Sequence, residues 1–256
     1  MNKLFVFLII LPGWLISQDV NKMPDIRGES WNGSVLELKI NKKLDLELEQ
    51  QFRFRSKDGF YDRALTQFKL DYDLFKWLRI GYGYRYINMN DRDGLISEIE
   101  NHKRQAYYLS YRWLKLKRFY IRNRIQYQSR RQLLPNTNKY VGEHLQYLRS
   151  KLDMGYNIKD WKLDPKFSFE WFSPIPDRGQ PQGQNYKYRL SLSTKYKLKG
   201  PQELNLRYMF EREVKSWNPE VVHIIDVNYT YTIKYKTQRY IRRNESKSEK
   251  VDDNRK

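Results

Sequence analysis

The sequence predicts an all-β protein, an antiparallel transmembrane β-barrel of about twelve strands (ten as the fallback count), preceded by an N-terminal signal peptide. Three observations carry this expectation. Apolar and polar residues alternate with period two in one stretch after another, the connections between stretches alternate between short and long, and the chain opens on a short basic-then-apolar segment.

That opening segment is Met1-Asn2-Lys3 followed by Leu4-Phe5-Val6-Phe7-Leu8-Ile9-Ile10-Leu11. A transmembrane helix needs about 20 apolar residues, so the run reads as the hydrophobic region of an export signal. Small Ser17 places the cleavage near Ser17-Gln18, although Leu15 is a poor match two positions earlier. The chain then divides into a signal peptide (1–17), a barrel (18–235) and a charged, flexible periplasmic tail (236–256) too poor in apolar residues to repay ordering. With no cysteine in 256 residues, lipoprotein acylation, disulfides and thiolate chemistry are excluded.

The strands follow in order. After Val35–Ile40, the run from Leu44 to Arg55 sets Leu44, Leu46, Leu48, Phe52 and Phe54 against Asp45, Glu47, Glu49, Gln51, Arg53 and Arg55. A helix of period 3.6 cannot separate those two sets, whereas a pleated strand puts them on opposite faces. Phe68, Leu70, Tyr72 and Leu74 repeat the pattern against Gln67, Lys69, Asp71 and Asp73. Leu78, Ile80, Tyr82, Tyr84 and Tyr86 enclose Arg79, Gly81, Gly83 and Arg85. Tyr107, Leu109, Tyr111 and Trp113 enclose Ser110 and Arg112, and Phe119, Ile121, Ile125 and Tyr127 enclose Tyr120, Arg122, Arg124 and Gln126. Leu148, Leu152 and Met154 oppose Arg149, Lys151 and Asp153, while Leu163, Phe167, Phe169 and Trp171 oppose Asp164, Lys166, Ser168 and Glu170. Tyr188 to Tyr196 opposes Lys187, Arg189, Ser191 and Lys195, and Leu204 to Phe210 opposes Asn205, Arg207 and Glu211. Ile225 to Tyr235 closes the series against Asp226, Asn228, Thr230, Thr232 and Lys234.

These are eleven stretches, and the first and last point the same way. Antiparallel closure asks for one more, and Val20–Glu29 is the place for it, weakened by Pro24 and Gly28. The segments 41–43, 75–77, 114–117, 157–161 and 197–202 read as short periplasmic turns. Those at 57–62, 87–103, 131–143, 173–186 and 212–220 read as outer loops. Tyr86, Trp113, Tyr127, Trp161, Trp171, Tyr196, Trp217 and Tyr235 fit interfacial girdles, with Trp171 and Trp217 also suited to stacking a sugar.

The chain resembles the domain-of-unknown-function family 2490 in several short motifs. They are Trp31 ahead of Leu44–Arg53, Gly81-Tyr-Gly-Tyr-Arg-Tyr86, Arg124–Arg130, Tyr147–Leu152, Asp164–Trp171 and His223–Tyr231. The resemblance implies an outer-membrane barrel and assigns no catalytic, metal-binding or cofactor-binding residue.

The residues themselves point to no enzyme and no cofactor. A membrane hydrolase needs a histidine beside a serine or an acid. Of His102, His144 and His223, the first two read as loop residues and the third as an interfacial side chain on a lipid-facing register; His144 next to Glu143 is the starting point for a hydrolase. Chemistry concentrates instead on the inward register. Arg53, Arg55, Arg79, Arg85, Arg112, Arg122, Arg124, Arg149, Lys187, Arg189 and Arg207 form a basic ladder there, in a chain of net charge +19. Guanidinium forks suit carboxylates, sulfates and phosphates, and the pattern is similar to porins for acidic oligosaccharides. Asp45, Glu47, Glu49, Asp71, Asp73, Asp153, Glu170 and Glu211 share the interior, so paired charges can equally knit the lumen shut. Three readings stand: a closed or ligand- or partner-binding barrel, a narrow anion-selective channel, and an outer-membrane hydrolase. The expected partners are outer-membrane lipids and lipopolysaccharide, the barrel-assembly machinery of a Gram-negative cell during insertion, and an acidic small solute or a protein. Export excludes nucleic acid.

Overall fold

The computed structural model describes residues 25–56, 61–90, 99–116, 118–134, 139–159, 163–176, 185–214, 216 and 219–234. The expected signal peptide and tail lie outside them. Eleven strands run in chain order: β1 (Asp25–Lys39), β2 (Leu44–Arg55), β3 (Arg63–Asp73), β4 (Leu78–Asn90), β5 (Ile99–Lys115), β6 (Phe119–Leu133), β7 (Tyr140–Tyr156), β8 (Lys166–Pro174), β9 (Tyr186–Lys197), β10 (Gln202–Val214) and β11 (Glu220–Lys234). Each pairs antiparallel with the next, and β1 pairs with β11 to close the barrel.

The eleven alternating stretches are the eleven strands. The expected twelfth is not found among the described residues. Val20–Pro24 lie outside them, and Asp25–Glu29 forms the head of β1 itself. The odd count is resolved by a parallel seam in which Asp25–Lys39 runs beside Glu220–Lys234 without a register break. Parallel pairing is slightly weaker per residue, and side-chain bonds reinforce this seam. Thr232 Oγ1 donates to Glu37 Oε2 at 2.9 Å, Arg27 pairs with Glu220, and Gln51 Nε2 of β2 reaches past β1 to Asp226 Oδ1 of β11 at 3.3 Å. Gly33 stands between them, opposite Gln51 on one side and Asn228 on the other. A Cβ at Gly33 would lie 2.2 Å from the Asn228 amide oxygen, so the bridge across β1 depends on the missing side chain.

Most departures of strand ends from the sequence expectation are toward longer strands. Residues expected in loops are strand: β4 continues to Asn90, β5 starts at Ile99, β6 continues to Leu133 and β7 starts at Tyr140. Ladder hydrogen bonds need no apolar side chains, so polar pairs such as Asn88–Asn101 and Lys103–Arg131 extend the sheet past its apolar band. Leu163 moves the other way. It makes a lone bridge to Tyr196, and β8 begins only after Pro165, which has no N–H to give a ladder. The described turns have local causes. Asn41 Oδ1 accepts from the N–H groups of Lys43 and Leu44 at 2.8 and 3.0 Å, and Gly200 supplies a φ of 73° ahead of Pro201.

The faces sort as the alternation predicts. Leu48, Phe52, Phe68, Tyr107, Leu109, Ile125, Leu148, Leu192, Leu206 and Ile225 stand outward and exposed. At the short-turn end Phe75 stacks on Trp77 at 5.3 Å, and Trp77 and Trp113 both meet Tyr111 edge-on, forming part of an aromatic girdle. An outside this apolar around a polar interior inverts the layout of a soluble β-protein and matches a transmembrane barrel.

Candidate functional site

The interior divides into two halves of different character. Toward the short turns, inward side chains are tied to one another. Tyr108 lies over Gly81 and donates to Asp71 Oδ1 at 2.7 Å, and Tyr120 lies over Gly155; a Cβ on either glycine would come within 2.3 Å of the ring. Arg79 Nε donates to Asp73 at 2.6 Å and its Nη2 to Asp45 at 3.3 Å. Asp153 gathers Arg122 at 3.0 Å, Ser168 Oγ at 2.6 Å, Lys151 at 3.6 Å and Lys166 at 3.9 Å. Asp226 is fully buried. It accepts from Arg207 Nε at 2.9 Å, from Asn228 at 2.8 Å and from Gln51.

Toward the long loops a chamber of about 470 Å³ opens, reaching from mid-barrel to the strand ends at Arg27, Arg55, Arg63 and Lys187. Eleven arginines and three lysines line it against five glutamates, an excess of nine positive charges. Part of the charge is compensated. Arg149 pairs with Glu170 at 2.8 Å, Arg189 with Glu211, Lys187 with Glu211 at 2.8 Å, and Arg85 with Glu49 at 3.5 Å. Arg53, Arg104 and Arg124 differ. Among the described residues none of the three has a carboxylate within ion-pairing distance. Arg53 donates to Gln51 Oε1 at 2.9 Å and lies 3.4 Å over the Trp31 ring. Arg104 reaches Gln67 Oε1 at 3.4 Å, sharing that acceptor with Arg85, and Arg124 sits 5.5 Å over the Tyr108 ring.

Eight of the eleven ladder residues line the chamber: Arg53, Arg55, Arg85, Arg124, Arg149, Lys187, Arg189 and Arg207. Arg79 and Arg122 lie outside the lining, bound to the turn-side carboxylates, and Arg112 is exposed beside a bulge with Nη1 3.5 Å from the Lys76 carbonyl. The ladder misses Arg27, in the stretch read as a weak strand, Arg63, Arg104 and Arg130, which directly adjoin the segments read as loops, and the inward Lys69 and Lys151. Extending the even register of Ser110 and Arg112 back along β5 would have found Arg104. The alternation also misses an apolar cluster inside the barrel, where Trp31, Met209, Val222 and Ile224 pack together and Leu65, Ile87 and Phe172 are likewise buried. Its signal was present as adjacent apolar pairs, Tyr86-Ile87, Trp171-Phe172 and Val221-Val222, where both faces of a strand are apolar.

The histidines are strand residues. His102 is buried on β5 with Nε2 3.0 Å from Glu100, and His223 faces outward with Nδ1 2.7 Å from the Tyr208 hydroxyl. His144 lies on β7, and its Nε2 is 2.7 Å from Ser129 Oγ on β6. Both have outward registers, since their neighbours Gln128, Arg130 and Leu145 line the chamber. The Gln146 amide nitrogen is 3.3 Å from His144 Nδ1. Among the described residues no three acidic or histidine side chains gather as metal ligands.

In fold the chain is similar to the beta domain of the Bordetella autotransporter BrkA, at 12% identity and a TM-score of 0.37, over 71% of this chain and 80% of that one. No curated protein matches it in sequence. The model of a protein family of unknown function, DUF2490, matches residues 28–219, and the chain belongs to that family.

Proposed function

We propose that this protein is a closed outer-membrane barrel whose loop-side chamber binds an anionic ligand and does not conduct. Residence in the outer membrane rests on the apolar exterior, the aromatic girdle and the export signal read at the N-terminus. The observation that carries the binding role is the end of the chamber at mid-barrel. Its lining stops at Lys69, Gly83, Tyr108 and Lys151, below which Asp71 and Asp153 hold the interior side chains together. Eleven strands give a lumen between the filled eight-stranded and the open sixteen-stranded barrel, so side chains decide whether it is open. Purified protein in planar bilayers should be electrically silent, and Tyr108→Ala combined with Arg122→Ala should open a leak. Anion-selective current through the unmodified protein would instead make the chamber one end of a channel.

A second reading rests on the contact between Ser129 and His144. A hydroxyl bound to an imidazole lies on the barrel exterior, on the loop side of Ile125, Tyr127 and Leu148. In this reading Ser129 is a nucleophile and His144 its base. The far ring nitrogen Nδ1 meets two donors, the Gln146 amide nitrogen at 3.3 Å and Arg131 Nη2 at 3.5 Å, so a base role for Nε2 requires the Gln146 amide to turn its oxygen toward Nδ1–H. Labelling by a fluorophosphonate that vanishes in Ser129→Ala would support it. Absence of both labelling and fatty-acid release from phospholipid micelles removes it.

A further inference from the structure

The chamber contains more donors than its own acceptors satisfy. Among the described residues Arg53, Arg104 and Arg124 have only neutral or aromatic partners. Arg104 and Arg85 converge on one neutral acceptor, the Gln67 Oε1 oxygen. Two further donors in the same lining, Gln67 Nε2 and Arg149 Nε, are buried without an acceptor among the described residues. Buried donors are normally paired, and like charges crowded in a membrane-embedded space repel one another with little screening. One kind of guest relieves both conditions, a group that brings several acceptor oxygens and more than one negative charge. A carboxylate offers two oxygens and a single charge, and chloride offers no fixed acceptor geometry for a guanidinium fork.

We propose that the chamber holds a compact, multiply charged oxyanion of the phosphate or sulfate class between Arg53, Arg104 and Arg124, with the open donors of Gln67 and Arg149 completing its shell. This rests on the reading of the chamber as a ligand site. It adds the class of ligand and the residues that select it. The source is either a free solute entering past Arg27 and Arg63 or the phosphorylated headgroup of an outer-leaflet lipid, and the two share this chemistry. The cluster has an energetic signature. A structural arginine stabilises the empty protein, whereas an arginine held against its own kind destabilises it until the guest arrives. Replacing Arg104 should therefore move stability and binding in opposite directions.

The test uses the folded full chain in detergent and in nanodiscs, with pyrophosphate as the probe and chloride and acetate at matched ionic strength as controls. Pyrophosphate should raise the melting temperature by several degrees and the controls should not. Arg104→Gln and Arg53→Gln should each weaken pyrophosphate binding at least tenfold while leaving the empty barrel as stable or more stable. Lys42→Gln, in an exposed turn, should change neither. In nanodiscs of phosphatidylcholine alone the pyrophosphate effect persists if the guest is a solute. If the guest is a headgroup, nanodiscs containing lipid A stabilise the protein and block pyrophosphate. Equal effects of pyrophosphate and chloride, or an Arg104→Gln barrel that loses stability and keeps its binding, overturns the proposal. Bilayer conductance measured on the same preparation separates the two levels. A silent barrel that binds no oxyanion overturns this inference alone, and a conducting barrel overturns the closed chamber.

Discussion

At the scale of single residues the barrel is held by small sites where one atom too many is decisive. Asp153 is 5% exposed and is shared by Arg122, Lys151, Lys166 and Ser168. Removing one partner of a buried charge cluster leaves the others uncompensated, at a typical cost of about 3–5 kcal/mol. Asp153→Asn should accordingly lower the unfolding free energy measured by urea titration by that amount, whereas Glu203→Gln, paired with exposed Lys195 at 3.2 Å, should cost under about 1 kcal/mol. The glycines beneath the tyrosines make a second case. Gly81→Val would drive a side chain into the Tyr108 ring and break its bond to Asp71. The variant should melt earlier than Gly83→Val, whose added Cβ meets nothing closer than 3.9 Å. Neither site is visible in sequence as a site. Gly81 and Tyr108 are recognisable separately as inward residues, but only the β4–β5 register places one over the other.

Among the strands, period two fixes which side chains face in, because a one-residue error would turn every apolar residue from lipid to lumen. The inward parity of Gln51, Arg53, Arg85, Arg149 and Arg189 was therefore legible from the residues alone. Strand length was not, since the polar ends of β4, β5, β6 and β7 carry no apolar signal and yet continue their ladders. The chamber lies partly at that level, which is why Arg104 and Arg63 escaped the ladder. The neighbourhood of Ser129 and His144 was hidden for another reason. The sequence reads the connection from β6 to β7 as 131–143, but β6 runs to Leu133 and β7 starts at Tyr140, so the register cannot be counted across it, and a bulge after Arg131 shifts it further. Orientation is testable on the same strands. A cysteine placed at Asn90, at the loop-side end of β4, should react with an impermeant maleimide in intact cells, and one at Lys42 should react only after lysis. The opposite result would invert the topology.

For the whole molecule, a closed barrel with an apolar exterior should resist unfolding in cold detergent, so the protein should migrate on gels at two positions depending on heating. It should also sediment with the outer membrane; recovery as a soluble periplasmic protein would remove the membrane assignment. The parallel seam carries a further consequence, concerning sides. In a barrel of evenly counted strands the chain enters and leaves at the same rim. Here β1 starts at the long-loop rim with Asp25, and β11 ends at the short-turn rim with Lys234. Asp25 and Lys234 therefore stand at opposite rims of the barrel. With the short turns in the periplasm, an epitope inserted just before Asp25 should be stained on intact cells, while one after Lys234 should stay dark until the envelope is broken. Among the described residues, an odd number of strands makes this barrel a feed-through whose first and last strand residues sit at opposite rims.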